Sequence, residues 1–395
     1  MKTAAPPRPL FILAALLALP GCEAAPVTKH PAPATTASST AAPSSSTAEP
    51  AAKPSKATVR WPTALRQPAA WYATAEARGM ADSVLQYQTE SGGWPKNTDF
   101  SDPPSDEFLA DHAMDHRAAT IDNNATTTPL RFLARVVTAT GSKKYRAAFE
   151  HGFDYVLAAQ YPNGGWPQYF PLKKGYYTHI TYNDNAMVNV LTLLRDAAKN
   201  EPPFAFLDAD RRARATTAVA KGIDCILHTQ VKQDGELTVW CAQHDETTLA
   251  PAWARNFEPP SLSGGESVGI VKFLLDIEKP SPEIIAAVEG AVAWFEKMKI
   301  TGLRYETFKD STGSKDRRVV PDPEAPALWA RFYELGTNRP IFIGRDKVIR
   351  YALADIERER RAGYGYYNGG AQALLETNYP SWRKRLRLPA TAAKP

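Results

Sequence analysis

A motif of eight residues occurs twice in this chain of 395 residues, and it limits the fold more than any other feature. Residues 88–95 read QTESGGWP, and residues 160–167, which lie 72 positions later, read QYPNGGWP. A weaker copy starts at Gln230 and contains Asp234 and Gly235. Each copy follows one stretch of helical apolar spacing and precedes another, so the repeating unit is a helical hairpin of about 70 residues. One such hairpin cannot bury its own apolar face, and the units therefore stack on one another.

Apolar spacing predicts about ten helices, whereas strand-like alternation is confined to short pieces such as residues 237–240. The predicted helices span residues 69–88, 129–138, 144–160, 186–198, 210–230, 265–277, 282–298, 325–335, 345–359 and a short tail near Trp382. Helical hairpins that repeat around a centre predict an all-α fold. The expected architecture is an α/α toroid (barrel) with short irregular strands, whose inner helices begin at long loops around one mouth.

The start of the chain has the composition of an export signal followed by a linker. Lys2 and Arg8 flank an apolar run, residues 10–19, that is too short to span a bilayer. Cys22 then follows Gly21 as in a bacterial lipoprotein cleavage site, so lipid attachment and simple secretion both remain open. Because 29 of the next 36 residues are Pro, Ala, Ser or Thr, that stretch cannot form a core of its own.

These features predict three segments: a signal peptide over residues 1–22, a linker over 23–59 and one folded domain over 60–395. The protein is expected to be exported, as a secreted, periplasmic or outer-membrane lipoprotein. Its net charge of +5 is too small to indicate a nucleic-acid partner, yet it does not oppose a polyanionic substrate. With Cys22 assigned to processing, Cys225 and Cys241 remain, either as a disulfide or as two buried thiols.

Polar residues cluster at the predicted N-termini of the inner helices. Residues 120–129 read TIDNNATTTP and residues 181–187 read TYNDNAM, which places Asp122, Asn123 and Asp184 at corresponding points of two repeats. Helix capping explains one such residue per helix, but not three in a row, so these loops predict a shared functional site. Two carboxylates with amide oxygens around them favour a hard cation, which predicts Ca²⁺ rather than Zn²⁺ at Asp122 and Asp184.

Other motifs give weaker evidence for a functional site. His112 and His116 have the spacing of a zinc-binding pair, but no third ligand accompanies them. Asp245 and Glu246 are interpreted as part of a solvated loop, and the tryptophans of the two repeats as core residues.

Four segments resemble the motifs of family-ten polysaccharide lyases, the α/α-toroid pectate lyases of bacteria. They are residues 119–133, 181–191, 254–269 and 327–345, and the resemblance extends over about residues 60–367. It implies that the chain cleaves de-esterified polygalacturonate by β-elimination with Ca²⁺ and leaves a 4,5-unsaturated end. Pectate is then the partner, and the enzyme is expected to be a monomer. A lipid anchor holds it to the envelope if Cys22 is acylated.

The resemblance also implies a role for individual residues. It makes Asp122 and Asp184 the calcium and carboxylate-site residues, with Asn123 beside them on the substrate, and Arg255 the base. It makes Arg331 and Arg345 the groups that hold uronate carboxylates, as bidentate guanidinium groups do well. For a base role, we expect burial and neighbouring positive charges to disfavour the charged form of Arg255.

Two alternatives remain open from the residues alone. The first is an α/α-toroid glycoside hydrolase that uses Asp122 and Asp184 as acid and base. The second is a surface lipoprotein that binds pectic oligosaccharides without cleaving them. An arginine placed between the calcium-type loops and a serine-rich loop favours the lyase, because a binding protein has no need of it.

Overall fold

The computed structural model describes residues 58–110 and 117–389. The predicted signal peptide, Cys22, nearly all of the linker, His112 and His116 therefore lie outside the described residues. Within the described part the helices are α1 (Ala75–Gln86), α2 (Asp106–Ala110), α3 (Thr127–Thr140), α4 (Lys143–Ala158), α5 (Ala186–Ala198), α6 (Ala209–Thr229), α7 (Glu266–Leu275), α8 (Pro282–Lys297), α9 (Arg358–Gly363), α10 (Gly370–Ala373) and α11 (Tyr379–Leu386). A π-helical turn, Leu374–Asn378, joins the last two. No helix among the described residues is both long enough and apolar enough to cross a membrane.

Among the described residues the strands pair in six separate antiparallel ladders, and all of them except β6 and β7 are two residues long. They are β1 (Ile180–Thr181), β2 (Lys232–Gln233), β3 (Glu236–Leu237), β4 (Gln243–His244), β5 (Leu262–Ser263), β6 (Leu303–Lys309), β7 (Lys315–Pro321), β8 (Trp329–Ala330), β9 (Phe332–Tyr333), β10 (Phe342–Ile343), β11 (Ile349–Arg350) and β12 (Tyr367–Asn368). The described part is thus mostly helical with short strands, as the apolar spacing predicted.

The repeated glutamine ties each hairpin to the next one. In all three copies the side-chain amide donates one hydrogen bond to a carbonyl of its own loop and a second to a carbonyl of the following outer helix. The second bonds join Gln88 to Ala148, Gln160 to Ala218 and Gln230 to Ala287, each at 2.9 Å. Consecutive outer helices α1, α4, α6 and α8 pack together, as do the inner helices α3, α5 and α7.

Four buried tryptophans mark four structural repeats. Each indole N–H donates to a carbonyl near the end of an outer helix, at 2.7–2.8 Å, and each side chain is fully buried. They are Trp94, Trp166, Trp240 and Trp329. The interpretation of the first two as core residues is therefore confirmed, and the last two identify repeats that lack the Gly-Gly-Trp sequence.

Two of the predicted helices are wrong. Residues 325–335 form β8 and β9 instead of a helix, because Trp329 pairs with Asn368 and Tyr333 pairs with Leu262. Residues 345–357 form a loop with β11 and one 3-10 turn, and only residues 358–359 are helical, as the start of α9. Hydrogen bonds to distant strands override the local helix preference in the first segment, whereas in the second β11 pairs with the neighbouring β10. The hairpin of β6 and β7 was also missed, and its turn contains Gly313 at a φ of 79°.

Both remaining cysteines are free and buried, so the two-thiol alternative is the correct one for Cys225 and Cys241. Burial raises the pKa of each thiol.

The buried His244 predicts a pH dependence of stability. Its Nδ1 donates to the Leu249 carbonyl (2.9 Å), and its Nε2 accepts from the Cys241 N–H (3.1 Å), so the ring is neutral. Burial lowers the pKa of His244 from 6.5 to about 4. The unfolded chain therefore binds more protons between pH 6.5 and 4, and the free energy of unfolding falls through that window as the pH falls, by about 2 kcal/mol at pH 5.

Urea unfolding of wild type and His244→Gln at pH 7 and pH 5 measures this contribution. His244→Gln should remove most of the difference between the two pH values. The matched control, His228→Gln, changes an exposed histidine on α6 and should keep it. An unchanged pH dependence in His244→Gln would contradict the assignment.

Candidate active site

Two short 3-10 turns, Asp122–Asn124 and Asn183–Asn185, lie directly before α3 and α5 and contact each other. The last two residues of each turn have left-handed backbone, with φ of 50–61°. Asparagine and aspartate tolerate this conformation better than other non-glycine residues, which explains the last two residues of each polar triplet. The two repeats therefore bring Asp122, Asn123 and Asp184 to one place.

Asp122 is the more enclosed of the two aspartates. Its side chain is 6% exposed, and Oδ2 accepts from Lys96 Nζ and from Gln168 Nε2, each at 2.7 Å. Oδ1 accepts from the Asn123 backbone N–H at 3.0 Å. The other amide atom, Gln168 Oε1, is buried and has no hydrogen-bond donor among the described residues. Asp122 thus already accepts three hydrogen bonds, while Gln168 Oε1 beside it accepts none from the described residues.

Asp184 is open to solvent, with a side chain that is 45% exposed. Its Oδ2 accepts from Asn183 Nδ2 (2.8 Å), and its Oδ1 lies 3.9 Å from Arg331. Burial raises the pKa of Asp184; Arg331 opposes this effect, whereas the nearby charges of Glu266 and Asp122 add to it. The charge of Asp122, the other predicted metal ligand, and that of Glu266 therefore both act on the ionisation of Asp184.

Arg331 stands at the centre of this group. Its guanidinium donates to Glu266 Oε1 (2.7 Å) and to Asn183 Oδ1 (3.1 Å), and it lies 4.7 Å from the ring of Tyr364. Burial alone would lower the pKa of Arg331, but Glu266, Tyr364 and Asp184 raise it above its ordinary value. The side chain is therefore a fixed cation beside Asp184.

Arg255 is held by Glu258. The guanidinium makes a bidentate contact with that carboxylate, which also accepts from the Tyr364 hydroxyl at 2.8 Å. Hydrogen bonds to Glu258 raise the pKa of Arg255 above its ordinary value, although burial opposes this. The expectation that burial and like charge would disfavour the charged form is therefore wrong here, because a buried carboxylate neutralises the group.

Arg345 and Asn123 sit at the edges of the site. Arg345 is exposed and makes a bidentate ion pair with Glu359 at 2.9 Å. It shares the ring of Phe257 with Arg255, and the two guanidinium carbons lie 5.7 and 4.9 Å from the ring centre. Asn123 donates to Asn97 at 3.0 Å. All six residues selected from the sequence therefore belong to one connected group, in which Glu258 and Tyr364 join Arg255 to Arg331, and Arg331 reaches Asp184.

A second acidic cluster lies on the loop that was interpreted as solvated. His179, Asp245 and Glu246 each place one potential ligand atom within 4.8 Å of the others, and all three side chains are partly buried. His179 Nδ1 lies 2.9 Å from Glu246 Oε2. This group could hold a metal ion, and it joins the loop after β4 to the segment before β1.

Lys96, Gln168, Glu258, Glu266 and Tyr364 escaped the sequence reasoning. The repeat offers a signal for two of them, Lys96 and Gln168. In three of the four repeats, the second residue after the tryptophan reaches the candidate site. Those residues are Lys96, Gln168 and Arg331, and the third repeat has Ala242. The two glutamates and the tyrosine carry no such signal.

Comparisons with known proteins identify relatives of this chain. The family model described as pectic acid lyase matches residues 88–375. The family 10 polysaccharide lyase from Cellvibrio cellulosa is 37% identical in sequence, with a TM-score of 0.69, covering 82% of this chain and 95% of that one. A mutant of the lyase from the same organism, with one aspartate replaced by alanine and in complex with trigalacturonic acid, is 38% identical. Its TM-score is 0.67, and the alignment covers 79% of this chain and 97% of that one. A comparison with curated protein sequences found no match.

The family match covers well over half of the chain, and the solved structures align along nearly their whole length. The mostly helical fold with its short strands is common to them. The chain therefore belongs to the pectic acid lyases, family 10 of the polysaccharide lyases, and is a pectate lyase.

Proposed function

We propose that this lyase cleaves de-esterified polygalacturonate by calcium-assisted β-elimination, with Arg255 as the base. The proposal rests on one observation: three arginines and two aspartates that are far apart in the sequence belong to one connected group in the structure. A carboxylated sugar bound beside them would contact both charged groups and hydrogen-bonding groups. The relative that was solved with trigalacturonic acid supports a galacturonate substrate.

The donor set around Asp184 fits a hard divalent cation. The charges of Glu266 and Asp122 act on Asp184; Arg331 offsets Asp184 and Glu266, while Lys96 is paired with Asp122. Asp184 is the more accessible ligand, while Asp122 would contribute through the lone pairs that its donors leave free. Ca²⁺ bound by Asp122 and Asp184 would neutralise part of the charge on a substrate C6 carboxylate and so acidify the proton on C5.

The arginines would orient the substrate. Arg331 presents a buried, permanently charged guanidinium 4.7 Å from the ring centre of Tyr364, and Arg345 presents an exposed one 5.7 Å from the ring centre of Phe257. Each can hold a uronate carboxylate by paired N–H donors. Asn123 lies at the rim, where its amide can reach a sugar hydroxyl.

The elimination itself requires one base. Arg255 would take the proton from C5, the C5–H electron pair would form the C4–C5 double bond, and the bond from C4 to the glycosidic oxygen would break. The departing oxygen takes its proton from water. Because Glu258 keeps Arg255 protonated, the guanidinium must leave this partner and lose a proton first, so activity should rise steadily above neutral pH.

The identity of the product tests the reaction class. Incubation of the purified protein with polygalacturonate should give oligosaccharides one water molecule lighter than hydrolysis products, with the ultraviolet absorbance of a conjugated double bond. Mass spectrometry of the digest resolves the two series. Saturated products would instead support the glycoside hydrolase that uses Asp122 and Asp184, and intact polymer with tight binding would support the non-catalytic binding protein.

We also propose that the stacked hairpins close into an α/α toroid with these loops at its mouth, and that the catalytic domain begins at about residue 60. The signal peptide would then direct export of a monomeric enzyme. The linker would tether that enzyme to the bacterial envelope if Cys22 is acylated, and otherwise the enzyme would be released.

A further inference from the structure

A cavity of about 650 Å³ opens beside the turn that carries Asp122, and none of the residues given a role in the elimination lines it. Its volume lies within the range of ligand pockets. The walls contain two lysines and four aromatic residues, together with small polar side chains from the loop after the first Gly-Gly-Trp motif. The residues that matter here are Tyr87, Lys96, Phe108, Tyr169, Lys173 and Tyr177.

The cavity gathers positive charge around one phenol ring. Lys173 Nζ lies 4.5 Å and Lys96 Nζ 5.7 Å from the ring centre of Tyr169. Two charges on the wall are already offset, since Asp99 lies 2.8 Å from Arg60 and Lys96 Nζ lies 2.7 Å from Asp122, so the charge that the proposal uses is that of Lys173. This arrangement favours an anionic ligand.

The aromatic walls favour a ligand with a ring. Tyr169 and Tyr177 meet edge to face at 5.2 Å, and Tyr87 meets Phe108 in the same way at 5.0 Å. Tyrosine combines an apolar ring with a hydroxyl, and the two suit the C–H faces and the hydroxyls of a sugar. Small polar residues on the same wall, Thr98 and Ser105, add hydrogen-bonding groups.

Two contacts connect the cavity to the catalytic centre. The ring of Tyr177 lies 4.1 Å from that of Tyr176, on whose phenol the charges of Arg255 and Glu258 act. On the other side, Lys96 is paired with Asp122. A polymer held at the centre could therefore continue into the cavity without leaving the surface.

We propose that this cavity is a distal subsite that binds one galacturonate residue of the polymer, with Lys173 binding its carboxylate and Tyr177 its ring. The proposal rests on the proposed function for its substrate class. It adds a determinant of chain-length preference that lies outside the catalytic centre.

Lys173→Gln tests the subsite, with Lys174→Gln as the matched control. Both changes remove one positive charge from adjacent residues, but Lys174 is exposed and does not line the cavity. In the full-length protein, kcat/KM is measured on oligogalacturonates of increasing length and on polygalacturonate. Binding of a long oligogalacturonate is measured separately by calorimetry in chelator, where cleavage by the proposed mechanism is off.

Lys173→Gln should lower kcat/KM on the polymer by about 5-fold, the size of one partly solvated ion pair, while Lys174→Gln stays near wild type. The effect on kcat/KM should grow with chain length and weaken at high salt, and the difference in binding between the two variants should vanish on fully methyl-esterified oligomers, which carry no carboxylate. Equal behaviour of the two variants at every length, in rate and in binding, would overturn the subsite. If no unsaturated product forms but Lys173→Gln still binds the oligomer more weakly than Lys174→Gln, the proposed elimination fails and the subsite stands.

Discussion

Asp184→Ala should reduce turnover on polygalacturonate by about 10³-fold or more while leaving the helical circular-dichroism signal unchanged. Asp184 is half-exposed at the start of α5, so its loss removes no core contact. It does remove the accessible carboxylate through which a cation would reach the substrate, and electrostatic groups of this kind supply several kcal/mol to the transition state.

Asp82→Ala is the matched control. Asp82 is exposed to the same degree (46%) and also lies beside a cation, Lys144, but it belongs to the outer helix α1. Its loss should leave kcat unchanged. Activity of Asp184→Ala within a few-fold of wild type would remove Asp184 from the site, and a lost helical signal would show a structural role instead.

Arg255→Lys should lower kcat by about 10²–10⁴-fold with little change in KM. A lysine at this position keeps the charge, but its ammonium cannot occupy the place of a guanidinium that spans from Phe257 to Glu258. Arg345→Lys is the comparison, because a residue that only holds a carboxylate should show a raised KM and keep much of its kcat. If Arg255→Lys follows that second pattern, Arg255 is a clamp and another group is the base.

The partner of Arg255 offers a second readout of the same role. Because Glu258 raises the pKa of Arg255, Glu258→Gln should lower it and move the alkaline rise of kcat/KM toward neutral pH. A clamp must stay protonated, so its pH profile would not shift in this direction. The pH dependence of kcat/KM in wild type and Glu258→Gln therefore separates a base from a clamp.

The hairpin repeat was predictable because the same contacts recur wherever the motif occurs. Gln88, Gln160 and Gln230 each bridge to the next outer helix, so the sequence must keep a glutamine at that spacing. Trp240 and Trp329 make the same indole hydrogen bond without a Gly-Gly pair before them. The repeat of Trp240 was therefore detected only as the weaker copy at Gln230, the repeat of Trp329 was missed, and the segment around Trp329 was predicted as a helix.

The residues of the candidate site were likewise predictable only in part. Asp122 and Asp184 were found because a polar triplet stands at corresponding points of two repeats; the left-handed backbone of its last two residues, Asp184 among them, favours Asn or Asp. Glu258 looked like any acidic loop residue, since its pairing with Arg255 depends on a turn that the apolar pattern does not encode. Lys96 was overlooked for a related reason: it pairs with Asp122 across 26 residues.

Formation of the unsaturated product in the presence and absence of calcium tests calcium-assisted elimination most directly. The purified enzyme is freed of metal with a chelator and mixed with polygalacturonate, and ultraviolet absorbance is followed as Ca²⁺ or Mg²⁺ is added back. Calcium should restore a steady rise in absorbance from a near-zero rate, and magnesium should restore little, because it prefers smaller, more rigid sites. Undiminished product formation in excess chelator would contradict a metal-assisted mechanism at Asp122 and Asp184.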